Sequence, residues 1–284
     1  MRKPAVLLAA AALGALSGCN ANNEVTVPVK PKQRVAHPAW PAPRLQSPKV
    51  VTLSPSNTNL KLDLQKDYVL KLPHGQALRT PRGLSIYGGH NVVLRGGTVN
   101  VTGRAGALTL HDQTGVMHVE NVRLTGRRLM EGIDLSESKR ATVQLENVFV
   151  SRVHGSYRTN HADLIQTWAG PRKLLIDGFV GSTNYQGFFL LPNQLYKGPP
   201  PKLFDFRNVY IDARRGGYAL WRQDKPSFPL KLSHVYVQPN PSKPGRDLWL
   251  QPKPSTGNPS WNAVKTGVPA GVVKRVSTAA AGGR

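Results

Sequence analysis

The stretch VQLENVFV, Val143 to Val150, has apolar residues at alternate positions on each side of one asparagine, Asn147. Period-two alternation marks a half-buried strand. Asn147 breaks the phase, and asparagine tolerates the left-handed backbone that a sharp corner requires. The stretch therefore reads as two short strands meeting at a bend. Five further stretches repeat it: VVLRGGTV (92–99), MHVENVRL (117–124), LLIDGFVG (174–181), FDFRNVYI (204–211) and LKLSHVYV (230–237). Gly97 and Gly181 stand where the pattern asks for an apolar residue. The corner residues Gly96, Asn121, Asn147, Gly178, Asn208 and His234 are spaced by 25, 26, 31, 30 and 26 residues.

A third short run precedes each pair: GLSIY, GALTL, GIDLS, ADLIQ, GFFLL, YALWR and, at the end, RDLWL. A fixed period in this range is the mark of a solenoid. One coil cannot bury its inward face alone, whereas stacked coils share a continuous apolar interior. The corner asparagines then fall in one column, where their amides bond to one another, a structural role rather than a catalytic one.

Three short strands per turn with an Asn corner resembles the right-handed parallel β-helix of the pectate-lyase-like superfamily. The resemblance covers roughly residues 60–250 and includes the opening stretch DLQKDYVLKLP…LSIYGGHNVVLRGG. It implies an all-β solenoid of about seven three-strand coils, with substrates lying across the first strand of each coil and the loops that feed it. It does not select an activity, since such helices serve lyases, hydrolases, epimerases and plain binding proteins.

Arg2 and Lys3 precede the apolar run PAVLLAAAALGAL, which is too short to span a bilayer. LSGC, Leu16 to Cys19, resembles the bacterial lipobox, and Cys19 is the only cysteine, so no disulfide forms within one molecule. The resemblance implies a lipid on Cys19 and a protein anchored to a membrane. Asn20, where an inner-membrane retention signal has Asp, points to the outer membrane or cell surface of the envelope. The expected organisation is a signal peptide (1–18), a Pro-rich tether (19–48), a β-helix domain (49–265) and a tail (266–284) whose end, STAAAGGR, is expected to be disordered.

Lys and Arg total 38 against 15 Asp and Glu, a formal charge of +23, which calls for a polyanionic partner or surface. The basic residues are scattered along strands and turns, without an arginine-rich run or an interleaved aromatic motif, so nucleic acid is not expected. A generally cationic surface is the plainer account.

Most polar residues of chemical interest fall in SYRTNHADLIQTW, Ser156 to Trp168. Twelve residues, SRVHGSYRTNHA, separate Val150 from Asp163, where the preceding coil uses eight, TGRRLMEG. The added length falls before a first strand, and loops on a rigid scaffold often carry function. HADLIQ resembles the His-x-Asp-x-x-Gln segment of many bacterial β-helix proteins associated with polysaccharides. The plain alternative is that Asp163 or Gln166 faces inward, since a one-residue slip flips every face. Asp134 in GIDLS is expected in the same column as Asp163, about 4.8 Å away. His111, Arg127 and Arg128, Tyr185 and Gln186 enter neighbouring first strands. The expected catalytic set is His161, Asp163, Arg158, Tyr157 and Asp134; the expected substrate-binding set is Gln166, Arg128, His111, Tyr185, Trp221 and Arg222.

Three chemistries suit these residues. In β-elimination on a uronate polymer, Arg158, His161 and Tyr157 would supply base, acid and charge neutralisation. In glycoside hydrolysis two carboxyl groups share the work, although the chain lacks the Asp-Asp pair usual in β-helix hydrolases. Calcium held by Asp134 and Asp163 is the third, but two carboxylates among so many cations make a poor site. No zinc spacing, phosphate-cradling glycine loop or nucleophile elbow is present, and no cofactor is expected. Trp168, Trp221 and Trp249 offer either sugar-stacking faces or core filling. The second long interval holds PNQLYKGPPPK (192–202), a cleft wall or an edge cover. The sequence thus leads to an envelope protein that binds an anionic, uronate-containing polysaccharide and cleaves it by β-elimination, against a rival that binds carbohydrate or protein without catalysis.

Overall fold

The computed structural model describes residues 39–223, 226–242, 248–249 and 261–282. Cys19, the expected signal peptide and most of the expected tether lie outside these residues, as does the side chain of Trp249. The strands in chain order are β1 (Lys49–Thr52), β2 (Asn59–Leu62), β3 (Tyr68–Lys71), β4 (Leu78–Thr80), β5 (Leu84–Gly88) and β6 (Val92–Val101). They continue with β7 (Gly106–His111), β8 (Val116–Gly126), β9 (Glu131–Ser136), β10 (Thr142–Val153), β11 (Ile165–Ala169) and β12 (Lys173–Thr183). The last are β13 (Gln186–Leu190), β14 (Leu203–Asp212), β15 (Tyr218–Arg222), β16 (Leu230–Gln238), β17 (Leu248–Trp249) and β18 (Val264–Thr266), followed by one helix, α1 (Ala270–Ala281).

All strand pairings among the described residues are parallel, and strands two steps apart in sequence become neighbours, so the chain winds into a parallel β-solenoid of about seven turns. One sheet takes the long strands β6, β8, β10, β12, β14 and β16; the other takes the short strands β5, β7, β9, β11, β13 and β15. The repeats stack in the register read from the sequence. Val92, Met117, Val143, Leu174, Phe204 and Leu230, the first residue of each repeat, form one row. Inside, the rows Leu94–Val119–Leu145–Ile176–Phe206 and Leu84–Leu108–Ile133–Ile165–Phe188–Leu220 face each other as a continuous apolar core.

Each expected strand pair is one long strand bent at its corner rather than two separate strands. Asn121, Asn147, Asn208 and His234 hold φ between 50° and 56°, with Gly96 at 67° and Gly178 at 84°. The Asn147 amide donates to Asn121 Oδ1 at 3.1 Å, and the Asn208 amide reaches past Gly178 to Asp177 Oδ1 at 2.6 Å. Gly181 is explained too: a Cβ there would stand 2.8 Å from Leu164, which occupies the apolar place instead.

Two expectations for the chain ends need correction. The tail is not disordered through residue 281: α1 lays Val272, Val273 and Val276 on the outer face of the long-strand sheet, against Phe149, Val180, Tyr210 and Tyr236. Arg275 pairs there with Asp177 at 2.9 Å. The last residues of the expected tether lie on the solenoid instead of free of it. Trp40 donates its backbone N–H to Glu146 (3.2 Å) beneath the Arg207 guanidinium, and Gln46 donates to Asp67 (2.6 Å).

Candidate functional site

The loops that enter the short-strand sheet are stacked like the strands themselves. Met130 N–H donates to Ala105 O (3.0 Å), His154 N–H to Leu129 O (2.7 Å) and Gly155 N–H to Asn184 Oδ1 (2.9 Å). Side chains on these loops are therefore held by a backbone ladder rather than by free turns.

Three acids meet where this ladder joins β9 and β11. Glu131 opens β9, and its Oε2 accepts the backbone N–H of Asp163 at 2.8 Å. A Cβ on Gly106, one coil below, would lie 3.2 Å from Glu131 Cβ and 3.3 Å from Asp134 Oδ2. The glycine that opens GALTL thus leaves the floor on which these two acids converge. Asp163 lies behind them, 1% exposed, with neither carboxylate oxygen hydrogen-bonded. Burial pushes all three carboxyls up: Glu131 to about 9, with help from Asp134; Asp134 to about 6, partly offset by a hydrogen bond from Trp168; and Asp163 well above its ordinary value, with Glu131 and Asp134 adding to the rise. Glu131 and Asp134 are partly exposed, so they are the members of the trio that a ligand can touch.

The expected neighbour relation between Asp134 and Asp163 is corrected in register. Gln166, not Asp163, stands opposite Asp134. The cause is a break in alternation as the loop ends: Leu164 and Ile165 are both buried in the core, and the N–H groups of Gly132 and Ile133 bond to the carbonyls of Asp163 and Leu164. Asp163 reaches the acids from the loop side instead.

An aromatic chain roofs this corner. His161 stacks against Tyr157 (ring centroids 5.6 Å apart) and meets the edge of Tyr185 (5.5 Å), and Tyr185 in turn meets Tyr218 (6.1 Å). Tyr157 is 77% exposed, and His161 Nε2 lies 3.3 Å from the Tyr157 carbonyl oxygen. Burial raises the Tyr185 phenol, and nearby Tyr218, Asp163 and Tyr157 add to the rise. Arg158 is exposed on the same loop and forms no ion pair among the described residues.

Other expected binding residues lie apart. His111 ends β7 opposite Ser136, against Tyr87 (5.1 Å) and Asp112 (3.2 Å), two residues past the Asp134 column. Trp221 extends that column through Gln166 and Phe189, but it lies flat on Phe189 (4.3 Å, 9°), so that face is not offered to a sugar. Arg222 is a correction: it points inward, fully buried, donating to Phe228 O at 2.7 Å beside the Phe228 ring. Strand alternation dictates this, since its partner Leu190 is a core residue. Arg128 is exposed and shares a cleft of about 320 Å³ with Arg104, Arg127, Met130 and His154.

Glu131 is the functional candidate that sequence reasoning missed. Its signal was an acid placed directly before the glycine of GIDLS, beside the loop whose length had already attracted notice. Among the described residues no group of three or more His, Cys, Asp or Glu is placed to hold a metal ion. No protein-family model matches the chain, and no match is found among curated proteins or among solved structures.

Proposed function

We propose that this protein binds an anionic polysaccharide along the loops and short strands of its solenoid and cleaves it at the Glu131–Asp134 pair. The observation that carries the reading is that two partly exposed carboxyls converge on Gly106 with affinities for the proton pushed apart. Such a divergence separates acid from base. Glu131, protonated at neutral pH, gives its proton to the glycosidic oxygen. Asp134, ionised above about pH 6, activates water or stabilises the charge that develops on the sugar ring. Asp163 is buried behind them and meets Glu131 only through its backbone N–H, a bond that eases ionisation of Glu131 against the larger effect of burial. Gln166, expected to bind substrate, stands beside Asp134 in the same column but is buried, so it supports Asp134 rather than meeting the sugar.

β-Elimination is the second reading, and His161 between Tyr157 and Tyr185 favours it. There the imidazole takes the proton α to a uronate carboxylate while a protonated acid of the trio hydrogen-bonds that carboxylate; the C=C bond forms as the glycosidic C–O bond β to the carboxylate breaks, and the leaving oxygen takes a proton from water. On this proposal the solenoid belongs with the pectate-lyase-like β-helices and, from the lipobox resemblance at Cys19, is held at the cell envelope by a lipid anchor.

One experiment separates the readings. The protein is incubated with a panel of uronate-containing, sulfated and neutral polymers, and reducing ends and ultraviolet absorbance are followed together. New reducing ends without absorbance indicate hydrolysis, and both together indicate elimination. Neither, beside salt-sensitive binding, would move the protein to the non-catalytic binding class.

A further inference from the structure

Part of the excess charge is gathered in space. Each loop that enters the short-strand sheet lies above the last, and these loops bring Arg82, Arg104, Arg127, Arg128, Arg158 and Arg215, all exposed, onto one ridge of the solenoid. Within the ridge, Arg104, Arg127, Arg128 and His154 close on a cleft of about 320 Å³ beside Met130, the residue that precedes Glu131. No ion pair among the described residues reaches any of these arginines, although acids elsewhere do hold basic partners, as in Arg95–Glu120, Arg207–Asp205 and Arg214–Asp212. The backbone bonds from Met130 to Ala105 and from His154 to Leu129 fix the three loops coil on coil, so the cations are held together against their mutual repulsion.

We infer that this cleft is an oxyanion-binding subsite for a tetrahedral ester group, a sulfate or phosphate ester carried by the glycan. The proposal rests on the reading that a glycan lies along this face, and it names the class of substituent. Three guanidiniums around one small cleft offer more donors than the two oxygens of a single carboxylate accept. Their planar forks supply donors in several directions, as a tetrahedral oxyanion demands. The cleft adjoins the Glu131 strand, so a substituent held here sets which sugar lies over the acids.

The test measures binding of the full-length protein to a sulfated dextran, a phosphorylated dextran, polygalacturonate, plain dextran and single-stranded DNA at two salt concentrations. Wild type is compared with R127Q/R128Q and with K61Q/K71Q, which removes the same charge from exposed positions on other strands. The expected result is at least about tenfold weaker binding of the sulfated or phosphorylated polymer in R127Q/R128Q only. The two ester polymers distinguish the two substituents. Equal weakening in both double variants would reduce the cleft to a general cationic surface, and equal affinity for polygalacturonate would remove the preference for a tetrahedral ester. Tightest binding to DNA would replace the glycan with nucleic acid. The result also stands apart from the cleavage reading. Ester binding lost in R127Q/R128Q without any product from wild type overturns cleavage alone. Product formation and ester binding unchanged in R127Q/R128Q overturn the subsite alone.

Discussion

At the scale of single residues, the work assigned to Glu131 and Asp134 depends on where each holds its proton. A base at Asp134 must be ionised, so activity rises as pH passes about 6; an acid at Glu131 must be protonated, so activity falls as pH passes about 9. The expected profile of kcat/KM is a bell with its plateau between those values. E131Q is expected to lose about 10²- to 10⁴-fold in kcat and, with it, the alkaline limb. An E131Q enzyme of unchanged rate would remove Glu131 from the chemistry. Asp134, Asp163 and Gln166 were legible in the sequence as polar residues near a first strand. Their relation was not, because Leu164 and Ile165 both turn inward and shift the count. Glu131 was hidden for a related reason. Strand alternation places it on the same side as Ile133, whereas the structure pairs it directly with Gly106, the glycine that Asp134 Oδ2 also approaches.

At the scale of elements, the repeat was legible because every coil obeys the same two demands, an apolar row inside and a left-handed residue at the corner. The interruption of the asparagine column at Gly178 was visible too, but not its cause. A Cβ on Gly178 would lie 2.7 Å from Asn147 Oδ1 and 2.9 Å from the Arg275 guanidinium, at φ of 84°. The column gives up an asparagine there because α1 crosses at that coil and places Arg275 on Asp177. Replacing Gly178 with alanine is therefore expected to cost about 1–2 kcal/mol for the backbone alone, and more for the contact. A fall of several degrees in Tm is the readout. Unchanged Tm would mean that the helix does not press on this corner. The helix escaped the sequence reading because its composition, rich in Ala around three valines, matches a loose tail. Only the apolar patch of Phe149, Val180, Tyr210 and Tyr236 on the outer sheet gives Val272, Val273 and Val276 something to cover.

At the scale of the whole molecule, a chain with only 15 acids against 38 basic residues buries several of those acids. Burial pushes Glu131 to about 9 and both Glu137 and Glu146 to about 8, from an ordinary 4.5, with nearby Asp134, Asp112 and Asp177 adding respectively to the rise. The folded protein therefore binds more protons than the unfolded chain between those limits. Stability must then fall as pH rises, being fully present below about 4.5 and lost progressively up to about 8–9. Mutual repulsion of the excess cations acts against compactness throughout, and salt screens it. Thermal melting at high salt should accordingly give a Tm that declines from pH 5 to pH 8 and levels off above about 9. Glu137 is the residue with which to test the cause, since it is fully buried, lies outside the candidate site, and holds the Gln113 N–H at 2.9 Å. A glutamine keeps the shape and an accepting oxygen without the titration, so E137Q is expected to melt at a temperature less dependent on pH than the wild type. A Tm that rises from pH 5 to pH 8, or an E137Q slope identical to wild type, would show that the buried carboxyls do not govern the stability of the solenoid.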